Sequence, residues 1–400
     1  MKCFKRIIAL MSMLCILGTL VGCNLNMSGN MQSAEQSESS QSKEDSSIMD
    51  SSGANLETCI ISAVFPKEDQ EIVLANDRIN EWANAYTSLD LMCSSGQYNP
   101  EKSDNFAPQR VDLVWDVSVH TRNYTVRVAT DELLKNVQSY KTTQTTLTLK
   151  NLLVATQYFW QVETTFNGET IVSDVYSFKT SATRRTIEVE GVSNTRDLGG
   201  LMTSSGVRMK QGMVYRGASL NNVTVDGSAV MRKDLKIKTV LDLRSPTTET
   251  GGAKVSPLGQ SINYINVDAT NVYYQNIFSK TSVIKAEIKV FTQPKNYPIY
   301  FHCAVGRDRT GSLAYLLSAL CGVDEIELYK DYEMTFFSDS GCSDVHNSDR
   351  LNDLVTSFHA MNTYMKENFE GKTLQEKTEN YLLSIGITAE EIATIRQMLL

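Results

Sequence analysis

The stretch YPIYFHCAVGRDRTGSLAYLL, Tyr297 to Leu317, reads as three elements in succession. Tyr297 to His302 is a short apolar run of the kind that forms a buried strand. Ala304 to Asp308 is a polar loop with a glycine, and an apolar helix begins near Arg309. Cys303 falls at the hinge between strand and loop. A loop that turns from a strand into a helix N-terminus leaves its backbone N–H groups free to converge, and Gly306 permits the tight curvature. Ala304, Val305, Gly306 and Arg307 are therefore predicted to form an anion cradle. The same donors favour thiolate over thiol, so Cys303 is expected to be an activated nucleophile.

A thiolate beneath a bound phosphate dianion can attack phosphorus opposite the leaving oxygen and form a cysteinyl-phosphate. Arg309, six residues after Cys303, lies where the loop closes, and its planar guanidinium suits two equatorial phosphate oxygens. The Thr310 hydroxyl is placed to hydrogen-bond the sulfur, and His302 to anchor the loop from behind. The scheme calls for no metal and no cofactor.

The composite HCAVGRDRTG resembles the signature of the cysteine-dependent protein tyrosine phosphatase superfamily, HCxxGxxR followed by Ser or Thr. It looks most like the bacterial branch with the loop HCxxGKDRTG, whose members act as tyrosine, dual or lipid phosphatases. SNTRDLGG (Ser193 to Gly200) and VLDLRSPTTE also match elements of that branch, so the resemblance runs from about Arg184 to Leu400. Arg307 departs from the usual lysine, which keeps the charge but changes its hydrogen-bond geometry. The resemblance implies Asp308 as general acid; Asp268, near the place where classical relatives carry a mobile acid loop, is the alternative. Asp308 is preferred because neighbouring negative charge would raise its pKa and keep it protonated. Arg196 and Asp197 are candidates to brace the cradle or touch substrate, and Arg244 is expected to be a structural ion-pair partner.

Upstream the grammar changes. From Gln109 to Thr180, VDLVWDV, NYTVRVAT, TTLTLKNL, QYFWQVETTF and VYSFKT alternate with period two, which predicts a β-sandwich. Trp115, with Leu152 and Tyr158 around a later turn, resembles a fibronectin type III domain. Residues 57–106 are harder to place: Ile79, Trp82, Ala83 and Tyr86 have helical spacing for one helix against the sandwich edge, or the segment supplies a first strand. The opening residues pair Lys2, Lys5 and Arg6 with an apolar run from Ile7 to Val21 and read as an export signal. Its close, Leu20-Val21-Gly22-Cys23, resembles a bacterial lipobox, which implies lipidation of Cys23. Residues 24–56 are rich in Ser, Gln and Glu without an apolar period and form a tether.

The expected organisation is thus multidomain: signal peptide 1–22, disordered tether 23–56, uncertain extension 57–106, fibronectin-like sandwich 107–182, and an α/β tyrosine-phosphatase-like domain 183–400 with a mostly parallel central sheet flanked by helices. A net charge of −8 argues against nucleic acid as a partner. Eight cysteines, of which only an odd number would remain after export and lipidation, argue against a disulfide framework. The expected protein is a phosphatase held by lipid on the extracytoplasmic face of the cell membrane. Its expected substrate is protein phosphotyrosine, with a phosphoinositide or another small phosphomonoester as the alternative, and the sandwich is free for a surface partner. A non-catalytic anion-holding module is the rival reading.

Overall fold

The computed structural model describes residues 58–86, 106–339 and 348–400. The signal, Cys23, the tether, Cys93 and Cys342 lie outside the described residues.

The alternating runs form strands. Two sheets are built from β1 (Ile61–Phe65), β2 (Gln70–Ile72), β3 (Val111–Val117), β4 (Tyr124–Ala129), β5 (Gln138–Thr142), β6 (Thr146–Leu149), β7 (Gln157–Phe166), β8 (Glu169–Val172) and β9 (Tyr176–Thr180). One has the order β1-β3-β6, the other β2-β9-β7-β4-β5 with β8 on β7. Period two puts every second side chain on one face, and Leu113, Trp115, Val126, Trp160 and Val162 bury into one core. At the turn before β7 the Leu153 N–H donates to the Tyr158 hydroxyl at 2.7 Å.

The segment before β3 divides between two cores. Strands β1 and β2 pair with β3 and β9, as the strand alternative anticipated. Helix α1 (Asp77–Ala85) does not pack on the sheet edge: Ile79, Trp82 and Tyr86 join the core of the C-terminal unit. Trp82 lies 5.2 Å from the Phe337 ring, and the Tyr86 hydroxyl donates to Glu333 Oε1 at 3.1 Å. Helical spacing in the sequence identifies an apolar face but not the surface that receives it.

From Arg196 onward a third sheet has the order β10 (Arg196–Asp197), β11 (Val214–Gly217), β14 (Ile299–His302), β12 (Thr239–Asp242) and β13 (Asn263–Asn266). Only β10–β11 is antiparallel. One face carries Leu241, Ile299 and Phe301 under helices α3 (Thr281–Phe291), α4 (Asp308–Leu320), α5 (Glu325–Glu333), α6 (Ser348–Asn368), α7 (Leu374–Ser384) and α8 (Ala389–Leu399). The other carries Val240 and Tyr300 under the turns around α2 (Val225–Ala229). Helix α8 starts with a capping box between Thr388 and Glu391, and α7 with an equivalent one between Thr373 and Glu376.

The two units are fastened by polar contacts at the β6–β7 corner. Gln211 exchanges two 2.9 Å hydrogen bonds with the Val154 backbone, and the Glu188 backbone does the same with the Asn151 amide at 2.8 and 3.0 Å. Arg185 reaches across to the carbonyls of Asn151 and Leu152 at 2.7 and 3.0 Å.

Candidate active site

Strand β14 runs between β11 and β12, with all four residues buried. Cys303 therefore emerges at the carboxyl end of a central parallel strand, where ligand sites of α/β sheets form. The loop after it is held from outside. His302 Nδ1 donates to the Cys303 carbonyl at 2.9 Å, and the Ser219 N–H to that of Ala304 at 3.0 Å. Asn194 Nδ2 takes the Val305 carbonyl at 3.0 Å, Arg216 Nη2 that of Gly306 at 2.7 Å, and the Gly311 N–H that of Arg307 at 2.7 Å. Five consecutive carbonyls are thus engaged, that of Arg307 by the first turn of α4, and the Gly306 N–H points to Cys303 Sγ at 3.3 Å. Gly306 has φ +80°, and a Cβ there would lie 2.3 Å from the Gly217 carbonyl oxygen, so no other residue fits. Cys303 is 3% exposed and forms the floor of the bowl, with Ala304 exposed and Val305 half-buried on its rim.

Arg309 is aimed by Glu249, which accepts from Nη1 and Nη2 at 2.7 and 2.9 Å, while Nη1 also reaches the Leu243 carbonyl at 3.3 Å. These bonds use three of five guanidinium N–H donors at most, and the rest remain for an anion. The Thr310 hydroxyl is buried without a hydrogen bond among the described residues, so the predicted bond to sulfur is not formed. Arg244 pairs bidentately with Asp242 at 2.9 and 2.7 Å, the structural role expected of it.

Arg196 and Asp197 were candidates to brace the cradle or to touch substrate, and both are buried. Arg196 binds Asp331 through Nε at 2.9 Å, and Asp331 also pairs with Arg216, which holds the Gly306 carbonyl. Arg196 thus braces the loop at second hand. Burial opposes charge on Asp331, yet Arg216 and Arg196 hold its carboxyl well below the usual carboxylate range. Asp197 accepts from Arg185 at 2.6 Å and from the Gly199 and Gly212 N–H groups, so it steadies the seam with the β unit instead of the bowl. Arg307 is buried against Asp308 through Nε–Oδ1 and Nη2–Oδ2 contacts of 2.9 and 3.3 Å, not turned to the bowl as a free cation.

The two acid candidates also separate. Asp268 is exposed and caps its own turn, accepting from the Thr270 N–H and hydroxyl at 3.1 and 2.6 Å. Asp308 opens α4 beside the bowl. Burial pushes its carboxyl up, but the Arg307 guanidinium and the Tyr274 hydroxyl outweigh burial and hold it below the ordinary range. The expectation of a raised, protonated Asp308 is corrected accordingly: neighbouring cations and donors, absent from a reading of local charge, dominate.

Sequence reasoning missed Glu249 and Glu287. The first was visible as the glutamate closing SPTTE after the DLR strand. The second, on the buried face of α3, had no signal, because a glutamate in KAEIKVF looks like a solvent residue. Glu287 is fully buried, its Oε1 has no hydrogen bond, and burial pushes it up to about 8, with Arg309 opposing and Cys303 reinforcing the shift. The fold keeps a proton that the unfolded chain releases above its ordinary value of 4.5, so this group makes stability fall as pH rises from about 4.5 to 8. Glu287→Gln is expected to remove that slope and to gain on the order of 3–5 kcal/mol relative to wild type between pH 4 and pH 8. Urea unfolding of both proteins across that range checks it; parallel curves would contradict the assignment.

A protein of Cupriavidus necator, named provisionally as a tyrosine-protein phosphatase, is 27% identical over 177 residues, which cover 37% of this chain. The match spans 62% of the length of that relative. The core catalytic domain of the Saccharomyces cerevisiae PP-IP phosphatase Siw14, solved with citrate, aligns with 38% of this chain and 93% of its own at 17% identity and a TM-score of 0.25. A fibronectin type III domain derived from the human KIAA0970 protein aligns with 20% of this chain and 69% of its own at 21% identity and a TM-score of 0.17. The chain belongs to the tyrosine phosphatase family, whose model matches residues 187–400.

Proposed function

We propose that this chain dephosphorylates protein phosphotyrosine through a cysteinyl-phosphate intermediate, from a lipid anchor at Cys23 on the extracytoplasmic membrane face. The carrying observation is the bowl itself: Cys303 on its floor, five carbonyls engaged, and Arg309 aimed across it by Glu249. Cys303 attacks phosphorus, the amides and Arg309 hold the charge that develops on the equatorial oxygens, and Asp308 protonates the leaving oxygen. The negative charge of a bound substrate dianion raises the Asp308 carboxyl, which favours the protonated form it must deliver from. The N-terminal strands serve as a fibronectin-like sandwich, a rigid stalk that also offers a face to a surface partner.

Two tests follow. Turnover of a chromogenic aryl phosphate, inhibited by vanadate, checks the chemistry; equal concentrations of a phosphotyrosine peptide and a phosphoinositide check the substrate. A faster phosphoinositide, or another small phosphomonoester, would replace the protein substrate; turnover of none would sink the reading. Asp308→Asn is expected to lower kcat about 10²- to 10³-fold, most for substrates with poor leaving groups, while Asp268→Asn stays within about twofold because its carboxylate serves only its own turn. The reverse order would move the acid to Asp268.

A further inference from the structure

Asp308 is held by more than its neighbour in the loop. Its Oδ1 accepts from the Tyr274 hydroxyl at 2.5 Å as well as from Arg307 Nε, whereas Oδ2 accepts from Arg307 Nη2 at the longer 3.3 Å. The Tyr274 hydroxyl also shares a hydrogen bond with the Tyr332 hydroxyl. Each phenol has one proton to donate, and a carboxylate only accepts. The direction is therefore fixed: Tyr332 donates to Tyr274, and Tyr274 donates to Asp308. The 3.4 Å approach of Tyr332 to the Leu354 carbonyl is the weaker use of the same proton.

Both tyrosines are fastened. Tyr332, buried on α5, stacks on Phe358 of α6 with ring centroids 4.3 Å apart. Tyr274 opens the 3-10 turn Tyr274–Phe278 with φ +50°, a left-handed backbone that a bulky side chain adopts only when its surroundings over-determine it. Here they do. The Tyr274 N–H donates to Ser312 Oγ at 2.8 Å, and Ser312 Oγ donates to the Asp308 carbonyl at 3.0 Å. Backbone and hydroxyl of Tyr274 thus grip the same first turn of α4, so the segment that carries Asp268 delivers Tyr274 to the site instead of an acid.

Resting on the phosphatase reading with Asp308 as its acid, we propose that Tyr274 is a positioning residue for that acid: with Tyr332 behind it, its hydroxyl orients the carboxyl and leaves Oδ2 to give and take the proton. In the first step Cys303 Sγ bonds to phosphorus, the P–O bond to the leaving group breaks, and the Oδ2 proton passes to the leaving oxygen. In the second, a water oxygen bonds to phosphorus, the P–S bond breaks, the thiolate re-forms, and Oδ2 recovers a proton from the water. A donor on Oδ1 favours the carboxylate throughout. The other groups facing Asp308 are Arg307, Arg309, Tyr332 and, from α6, Arg350. Against burial, contact with Asp308 and Glu249 pushes Arg307 and Arg309 up, and burial pushes both phenols up, so these four groups do not titrate between pH 5 and 8.

The test uses the full chain. For Tyr274→Phe, the alkaline limb of kcat/KM on an aryl phosphate should move up by about one pH unit, because a hydrogen bond to the charged form is lost. In the Cys303→Ser background, the carbon-13 titration of the Asp308 carboxyl should move the same way. Tyr332→Phe should give a smaller shift of the same sign, and it carries the test if Tyr274→Phe lowers the unfolding midpoint into the assay range. A rate loss equal at every pH with an unmoved carboxyl titration would overturn the proposal, as a purely structural tyrosine does that. The carboxyl titration needs no turnover, so a chain that hydrolyses no phosphomonoester would sink the functional reading while leaving the Tyr274–Asp308 coupling measurable.

Discussion

Cys303→Ser is expected to lose turnover by roughly 10⁴-fold or more while keeping its hold on inorganic phosphate. Serine has nearly the same shape, but its hydroxyl does not ionise as a thiol does, so attack on phosphorus fails. Binding persists because the bowl is made by other atoms. The carbonyls of Cys303 to Arg307 are tied to His302, Ser219, Asn194, Arg216 and Gly311, and none of those bonds uses the sulfur. The Gly306 N–H now directed at Sγ has a serine oxygen to meet instead. Steady-state assay with an aryl phosphate and calorimetric titration with inorganic phosphate read the two halves separately. Substantial residual turnover would remove Cys303 from the chemistry; loss of phosphate binding in a folded variant would remove the bowl.

The second large effect concerns stability. Helix α1 lies between β2 and β3 of the β unit in sequence but inside the core of the C-terminal unit in space, together with Phe106. A fragment of residues 183–400 would leave bare the surface that receives Ile79, Trp82, Tyr86 and Phe106. It is expected to aggregate or to lose cooperative unfolding. In the full chain Trp82→Ala, which empties a site packed between Tyr86 and Phe337, should cost about 3–5 kcal/mol. Activity should fall with it, because Glu333 and Phe337 adjoin the α5 segment whose Asp331 holds Arg216 against the loop. Urea denaturation with assay of each protein decides the matter. A fragment that unfolds cooperatively with full kcat would show that α1 is only an ornament.

Much of the site was legible because its grammar is local. Cys303, Gly306 and Arg309 occupy one turn of chain between β14 and α4, and main-chain geometry over so short a span follows from residue type. The alternation of Leu113 and Trp115, or of Trp160 and Val162, was legible for the same reason, as was helix α4. Strands β10, β11 and β13 and helix α3 were not singled out. They are short or carry mixed faces, and pairing with β14 and β12 rather than propensity makes them what they are.

The supporting residues were illegible for a different reason. Arg196 meets Asp331 across 135 positions and Tyr86 meets Glu333 across 247, and no pattern of neighbours announces such pairs. Asp308 shows the limit clearly: it and its neighbour Arg307 were plain in the sequence, but the Tyr274 hydroxyl it also accepts from lies 34 positions away.

Residue order alone therefore singled out Cys303, the curvature of its loop and the alternation of the strands, since those depend on atoms a few bonds apart. Only the tertiary structure decided which charges meet, which carboxyls are buried and which core α1 completes. Electrostatics and burial are sums over everything nearby in space, and chain folding, not chain order, chooses those neighbours.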